Sequence, residues 1–359
     1  MRDSLFTRAR NARTRLAPLL LAAVLAACGG GGSSDESEPP AQTGTVTTIA
    51  GSPGQAGSSD GIAAQARFNA PKGIAVSAAG VVYVADTGNH TIRRIAPDGT
   101  VSTIAGSAGA SGTADGSGAA ARFNAPADMA IGPDGSLYVS DGAGIRKITQ
   151  AGVVTTVQQN STFIATDPNG NLYTLGPDIS IVRTTPAGAT STVVAKPPVD
   201  SQSNQAVYYS FAMDAQGNFY TAERVDFPTG FLPRFGLVRR FSAQGIQTAT
   251  ASVVFPSGIA VDAAGRLYAA CGGVVANQFP SGTTTGCGSV LAFDSAFSPT
   301  TLAGISEIRR TPPNYTEGTG SQDGPGTTAR FNLPKDLAVS AAGIYVADTG
   351  NHTIRRVQP

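Results

Sequence analysis

The chain is 359 residues long with 44 Gly, no Trp and only 14% charged residues, a composition that suits many short strands joined by tight turns and argues against a mainly helical protein. Its formal net charge is +1, and setting aside the first 27 residues removes five Arg and one Asp, leaving about −3. A near-neutral, slightly acidic chain offers no basic face for nucleic acid.

Taken from the start, Arg2, Arg8, Arg10, Arg13 and Arg15 form a basic leader, and Leu16 to Ala27 is an apolar run too short to span a bilayer. That is the pattern of a secretory signal over residues 1–27. It ends Leu25-Ala26-Ala27-Cys28, which resembles the lipobox of bacterial lipoproteins. The resemblance implies cleavage before Cys28 and lipidation of that residue; the plainer reading is an ordinary signal with a chance Cys. Residues 28–43 begin with a Gly/Ser/acidic run suited to a flexible tether, and Gly29 in place of Asp is the lipoprotein hint for the outer membrane, on its periplasmic or surface side.

The globular part, 44–359, opens with a β-branched run, Thr45 to Ala50, that reads as a lone strand. Four more follow, here called a to d: Gly73 to Ser77, Val81 to Ala85, Thr91 to Ile95 and Val101 to Ala105, each bounded by Gly, Asp, Asn or Pro. The segment YVADTGNHTIRR (Tyr83 to Arg94) recurs letter for letter as Tyr345 to Arg356, and degenerate copies at 129–141, 164–176, 211–223 and 259–271 make six units. A repeated four-stranded meander predicts an all-β, six-bladed β-propeller of antiparallel blades. Unit six stops at Pro359 after strand c. The missing strand d is the orphan at Thr45 to Ala50, so the N-terminal strand is expected to complete the last blade and close the ring, removing an exposed edge.

Cys271 and Cys287 flank a Gly/Thr/Ser-rich excursion. In an exported protein a disulfide is the simplest reading, with two free thiols or a metal pair as alternatives.

The pieces FNxPxGIAV, LYVAD and DTGNHTIRRI resemble NHL repeats, most closely in units one, two and six. The resemblance implies a six-bladed propeller, usually a binding platform; some relatives of the same architecture are lyases or lactonases, and in the lyases metal-binding His residues matter. Here the two His, His90 and His352, occupy equivalent repeat positions, which favours a role in the scaffold. Asp86, Asp141 and Asp348 share one position, with Glu223 there in unit four, and are expected to accept backbone N–H bonds in turns. The basic pairs Arg93-Arg94, Arg146-Lys147, Arg239-Arg240 and Arg355-Arg356 point to opposite sheet faces, so they form no single patch, and salt bridges between blades are expected. The linkers hold Asp60 and Arg67, Asp115 and Arg122, and Asp323 and Arg330 seven residues apart, with Phe68, Phe123 and Phe331 expected to plug between blades. Their GxG spellings are not phosphate loops, because no strand–loop–long-helix unit surrounds them.

In a meander the b–c and d–a connections share one face, and there the loops are long, whereas the a–b and most c–d turns are a few residues. Binding is expected on the long-loop face, by an envelope protein, peptide or glycan, with the propeller a monomer. Candidate contacts are Arg224, Phe227, Phe231, Arg234, Phe235 and Phe279, aromatic and Arg anchors of the kind interfaces use, with local packing of those Phe side chains as the alternative. Asp128 and Asp336 stand at the start of strand a by the channel. They are expected to be solvated rim charges, or with backbone carbonyls a Ca²⁺ site. No nucleophile, base or metal cluster of an enzyme is legible. A binding or scaffolding propeller without a cofactor is therefore expected, and the alternative is a metal-dependent lactonase or lyase working at the channel mouth.

Overall fold

The computed structural model describes residues 44–142, 144–159, 162–175, 180–194, 205–226, 236–275, 284–310 and 319–359. They form six antiparallel sheets, each a meander running outward from strand a, so the chain is a six-bladed propeller. Blade 1 holds strands a (Ile74–Val76), b (Val82–Asp86), c (Thr91–Ile95) and d (Thr100–Gly106). In blade 6, strands a to c are Pro334–Ser340, Gly343–Asp348 and Thr353–Gln358, and strand d is Thr45–Gly51 from the other end of the chain. Val46 faces Val357 and Thr48 faces Arg355 across that antiparallel pair, which closes the ring. Blades 1, 2 and 6 each gain one feature beyond the expected four strands, a two-residue fifth strand on the outer edge: Gly61–Ile62, Gly116–Ser117 and Gly324–Pro325.

The core lies between blades. Phe68 is fully buried among Ile74, Val84 and Ile95 of blade 1 and Ala347 and Ile354 of blade 6. Phe123 fills the gap between blades 1 and 2, and Phe331 that between blades 5 and 6. Near the axis the six a strands must converge, and the sequence meets this with small residues: Ala75, Ala130, Ala165, Ala212, Ala260 and Ala338 occupy one repeat position. At Gly73 a Cβ would lie 2.4 Å from the Ala127 carbonyl of blade 2, so the closest approach leaves no room for a side chain.

The basic pairs resolve differently from the expectation. Arg93 is fully buried, and its guanidinium lies 5.0 Å from the centroid of the Phe68 ring. It donates to Asp86 at 2.9 Å and to Asp60 at 2.7 Å, while Arg67 donates instead to the Ala64 and Ala66 carbonyls. Arg146 repeats this with Asp141, Asp115 and Phe123, and Arg355 with Asp348, Asp323 and Phe331. These clamps tie a linker to its own blade, so the salt bridges are within blades. Between blades the ties include hydrogen bonds without an ion pair: Thr349 Oγ1 donates to the Pro71 carbonyl at 2.5 Å, Thr87 Oγ1 donates to that of Pro126 at 2.6 Å, and the Ala70 amide donates to His352 Nδ1 at 3.0 Å. In blade 5, Cys271 stands where blade 1 has Asp86, and its sulfur is bonded to that of Cys287. A covalent link between strands b and c there takes the place of the ionic clamp.

Candidate functional site at the channel mouth

The a strands of all six blades enclose a central cavity of about 260 Å³. Its walls are mostly aliphatic, from Ile74, Val76, Ile131, Ile164, Val261 and Val339 among others, and its polar groups gather where strand a begins, from Asp128, Ser210 and Asp336. That end is the long-loop face, because strand a follows the d–a linker.

Each of these three side chains reaches into the next blade. Asp128 Oδ2 accepts the Ile164 amide at 2.7 Å, Ser210 Oγ the Ile259 amide at 3.1 Å, and Asp336 Oδ2 the Ile74 amide at 3.0 Å. The donors belong to blades 3, 5 and 1, so blades 2, 4 and 6 clamp their successors in alternation. Both carboxylates also take an amide of their own strand, Met129 at 2.8 Å and Leu337 at 2.9 Å. Strand a is an inner edge with unpaired N–H groups, and these acceptors satisfy them where the walls hold back water.

Asp128 and Asp336, both half-buried at the rim, therefore act as edge caps, with their oxygens taken by amides. Burial, which opposes charge, pushes Asp128 up to about 6 against the pull of its two amide bonds. Asp336 is pushed well above the usual carboxylate range by burial first and by the charge of Asp128 second. The two interact although blade 1 lies between them. All four oxygens already accept an amide, and two carboxylates fall short of the roughly six to eight oxygens that Ca²⁺ gathers. Among the described residues no group of three or more His, Cys, Asp or Glu is placed to hold a metal.

Glu223 lies away from the channel, fully buried in blade 4 at the position of Asp86. It accepts from Thr221 Oγ1 at 2.7 Å and lies 3.5 Å from Arg239, a reduced version of the Arg93 clamp. Burial pushes its carboxyl up and Arg239 opposes this. Arg224 pairs in register with Val207 and Gly236 at the far end of strand b. Phe227, Phe231, Arg234, Phe235, Phe279 and Cys28 lie outside the described residues. The strands leading to those loops are long: Gln205–Met213 and Phe219–Asp226 in blade 4, and Leu267–Val275, Thr284–Phe293 and Pro299–Arg310 in blade 5. Ser210 holds the same place in unit four, and the signal for it in the sequence is an acceptor side chain in every second unit at this position.

A family model described as the Teneurin NHL domain matches residues 51–114, over the first blade and its linkers. The chain is a six-bladed β-propeller that carries a match to an NHL model over its first blade. The propeller is 34% identical to Teneurin-3 of Danio rerio over 98 residues, which is 23% of this chain and 4% of that protein; it thus spans a small fraction of the curated relatives it matches. Among solved structures it resembles an auxiliary nutrient binding protein from Bacteroides thetaiotaomicron, with a TM-score of 0.56 and 16% identity over 88% of this chain and 76% of that one. It also resembles a gluconolactonase from Xanthomonas campestris, with a TM-score of 0.51 and 14% identity over 88% of this chain and 89% of that one. At such identities the likeness of this propeller to both is one of fold.

Proposed function

We propose that the protein is a non-catalytic binding propeller of the bacterial cell envelope, held by a lipid on Cys28 and receiving a ligand or partner on its long-loop face. The observation that carries the reading is the asymmetry of the ring. Turns such as Ser77 to Gly80 on one face are tight, while on the other blades 4 and 5 send strands of eight to twelve residues past the ring beside the channel mouth. Elaboration at one end of a rigid scaffold is where binding surfaces are built. The basic leader and the Gly/Ser tether support the envelope location, and Phe231 and Phe279 are the proposed contacts. Capture from envelope extract tests it: wild type should retain a partner that Phe231→Ala with Phe279→Ala loses, and equal recovery by both would remove this face from the reading.

A second reading rests on one observation, the paired carboxylates in an enclosed channel, whose raised affinity for protons suits acid–base work. A gluconolactonase shares the fold. Turnover of a lactone abolished by Asp128→Asn or Asp336→Asn would favour this reading over the first.

A further inference from the structure

Blades 1, 2 and 6 cover part of their outer edge with a fifth strand, and the same parts hold it each time. Asp60, Asp115 and Asp323 each precede the glycine that opens that strand, Gly61, Gly116 or Gly324. Each carboxylate takes the fully buried arginine of strand c, Arg93, Arg146 or Arg355. It also takes the amide and the hydroxyl of the strand d threonine that pairs in register with this arginine: Thr103 at 3.0 Å for both, Thr156 at 3.1 and 3.0 Å, and Thr48 at 2.9 and 3.1 Å. The three glycines have φ of +148°, +154° and +141°, a region that a side chain disfavours, so the docked unit is Asp followed by Gly.

Blade 4 keeps the receiving half of this clamp. Its strands c and d are Gly236–Phe241 and Gln247–Val253. Arg239 stands opposite Thr221 of strand b, as Arg93 stands opposite Val84, and it pairs with Thr250 of strand d, as Arg93 pairs with Thr103. Blades 3 and 5, the others with four strands, have Val182 and Leu291 at the arginine's place. Among the described residues blade 4 has no fifth strand, and Arg239 has no carboxylate but Glu223 at 3.5 Å. The arginines beneath a docked Asp have fully buried side chains, whereas that of Arg239 is 22% exposed, and Thr250 is exposed as well. Arg239 Nε and Glu223 Oε2 are both buried without a hydrogen bond. A half-covered guanidinium short of acceptors, beside an open strand edge, favours a carboxylate carried by a segment that adds to that edge.

We propose that the outer edge of blade 4 is a docking site for an acidic extended segment of a partner protein, an Asp-Gly unit whose carboxylate takes Arg239 and Thr250 while its backbone lies along strand d. The proposal goes beyond the long-loop reading, because this socket lies on the rim of the ring, and each can fail without the other. The mode of binding is the one that the chain's own linkers use on three sister blades. Both residues of the unit are selected: Asp by the fork of arginine and threonine, Gly by the positive φ.

A fluorescein-labelled peptide with the sequence of Ala56–Ala64, AGSSDGIAA, is the probe, titrated with the full chain at low ionic strength and followed by anisotropy. Saturable binding to a single class of site is expected, because the sister sockets are held by the chain's own linkers. Asp60→Asn or Gly61→Val in the peptide should weaken it about tenfold or more, and so should Arg239→Gln in the protein. Since Arg239→Gln also leaves Glu223 buried without its cation, Thr250→Ala on the exposed edge is the second variant, expected to weaken binding about threefold or more at an unchanged melting temperature. No saturable binding to wild type, or equal binding of the Asp and Asn peptides, or equal binding to wild type and Thr250→Ala, would overturn the site. Partner capture by Phe231→Ala with Phe279→Ala bears on the long-loop face alone, so the two readings are tested apart.

Discussion

At the scale of single residues, the channel carboxylates make a measurable trade. Asp128 holds its proton up to about pH 6 in the folded chain against about 3.9 when unfolded. The folded state therefore binds protons more tightly, so this group favours folding at low pH and that contribution is lost as pH rises through about 6. Asp128→Asn keeps an oxygen for the Ile164 amide and removes the charge facing Asp336. It should stabilise the protein at pH 7.5 by roughly 1–2 kcal/mol, the lumen water discounting the full shift, and flatten stability between pH 4 and 6. Urea melts across that range test it; a variant less stable than wild type at pH 7.5 would show that the charged form is needed.

Among the elements, blade 5 departs from its siblings by joining strands b and c through Cys271 and Cys287 where blades 1, 2 and 6 use an Asp–Arg clamp. Closing a loop of this size stabilises by about 3 kcal/mol through the unfolded chain. Cys271→Ser should lower the midpoint by that order and leave a cooperative transition, because the other interblade cores are untouched; a melt matching wild type would contradict it. The strands themselves were legible in the sequence. Val82 to Asp86 alternates and is bounded by turn residues, and the lone run at Thr45 matched the strand that unit six lacks. The pairing of charges was not legible. Asp60 lies 33 residues from its partner Arg93 and only seven from Arg67, so spacing along the chain does not pick out the partner. Nor were the roles of Asp128 and Ser210: an acceptor side chain recurs in every second unit, but the amides they hold belong to the backbone of the next blade, which the sequence does not display.

For the whole molecule, closure is the step on which the ring depends. Thr45–Gly51 pairs along the length of Thr353–Gln358, and Val46 sits in the core between blades 5 and 6. Removing residues 41–51 would expose the edge of strand c and open that core. A drop of at least 10 °C in melting temperature is expected, and an unchanged melt would contradict closure by this strand. With the ring closed, function turns on which end is used. The short-turn end carries the tight turns and the linker turns that bond to them, such as Ala63 to Gly99, and the other carries the channel mouth and the long strands of blades 4 and 5. Hydrogen–deuterium exchange of the protein with and without a partner captured from envelope extract tests this most directly. Protection should fall at the starts of strands a and on Phe219–Asp226 and Leu267–Val275, with the turns at 77–80, 96–99 and 132–135 unchanged; protection confined to those turns would contradict the account.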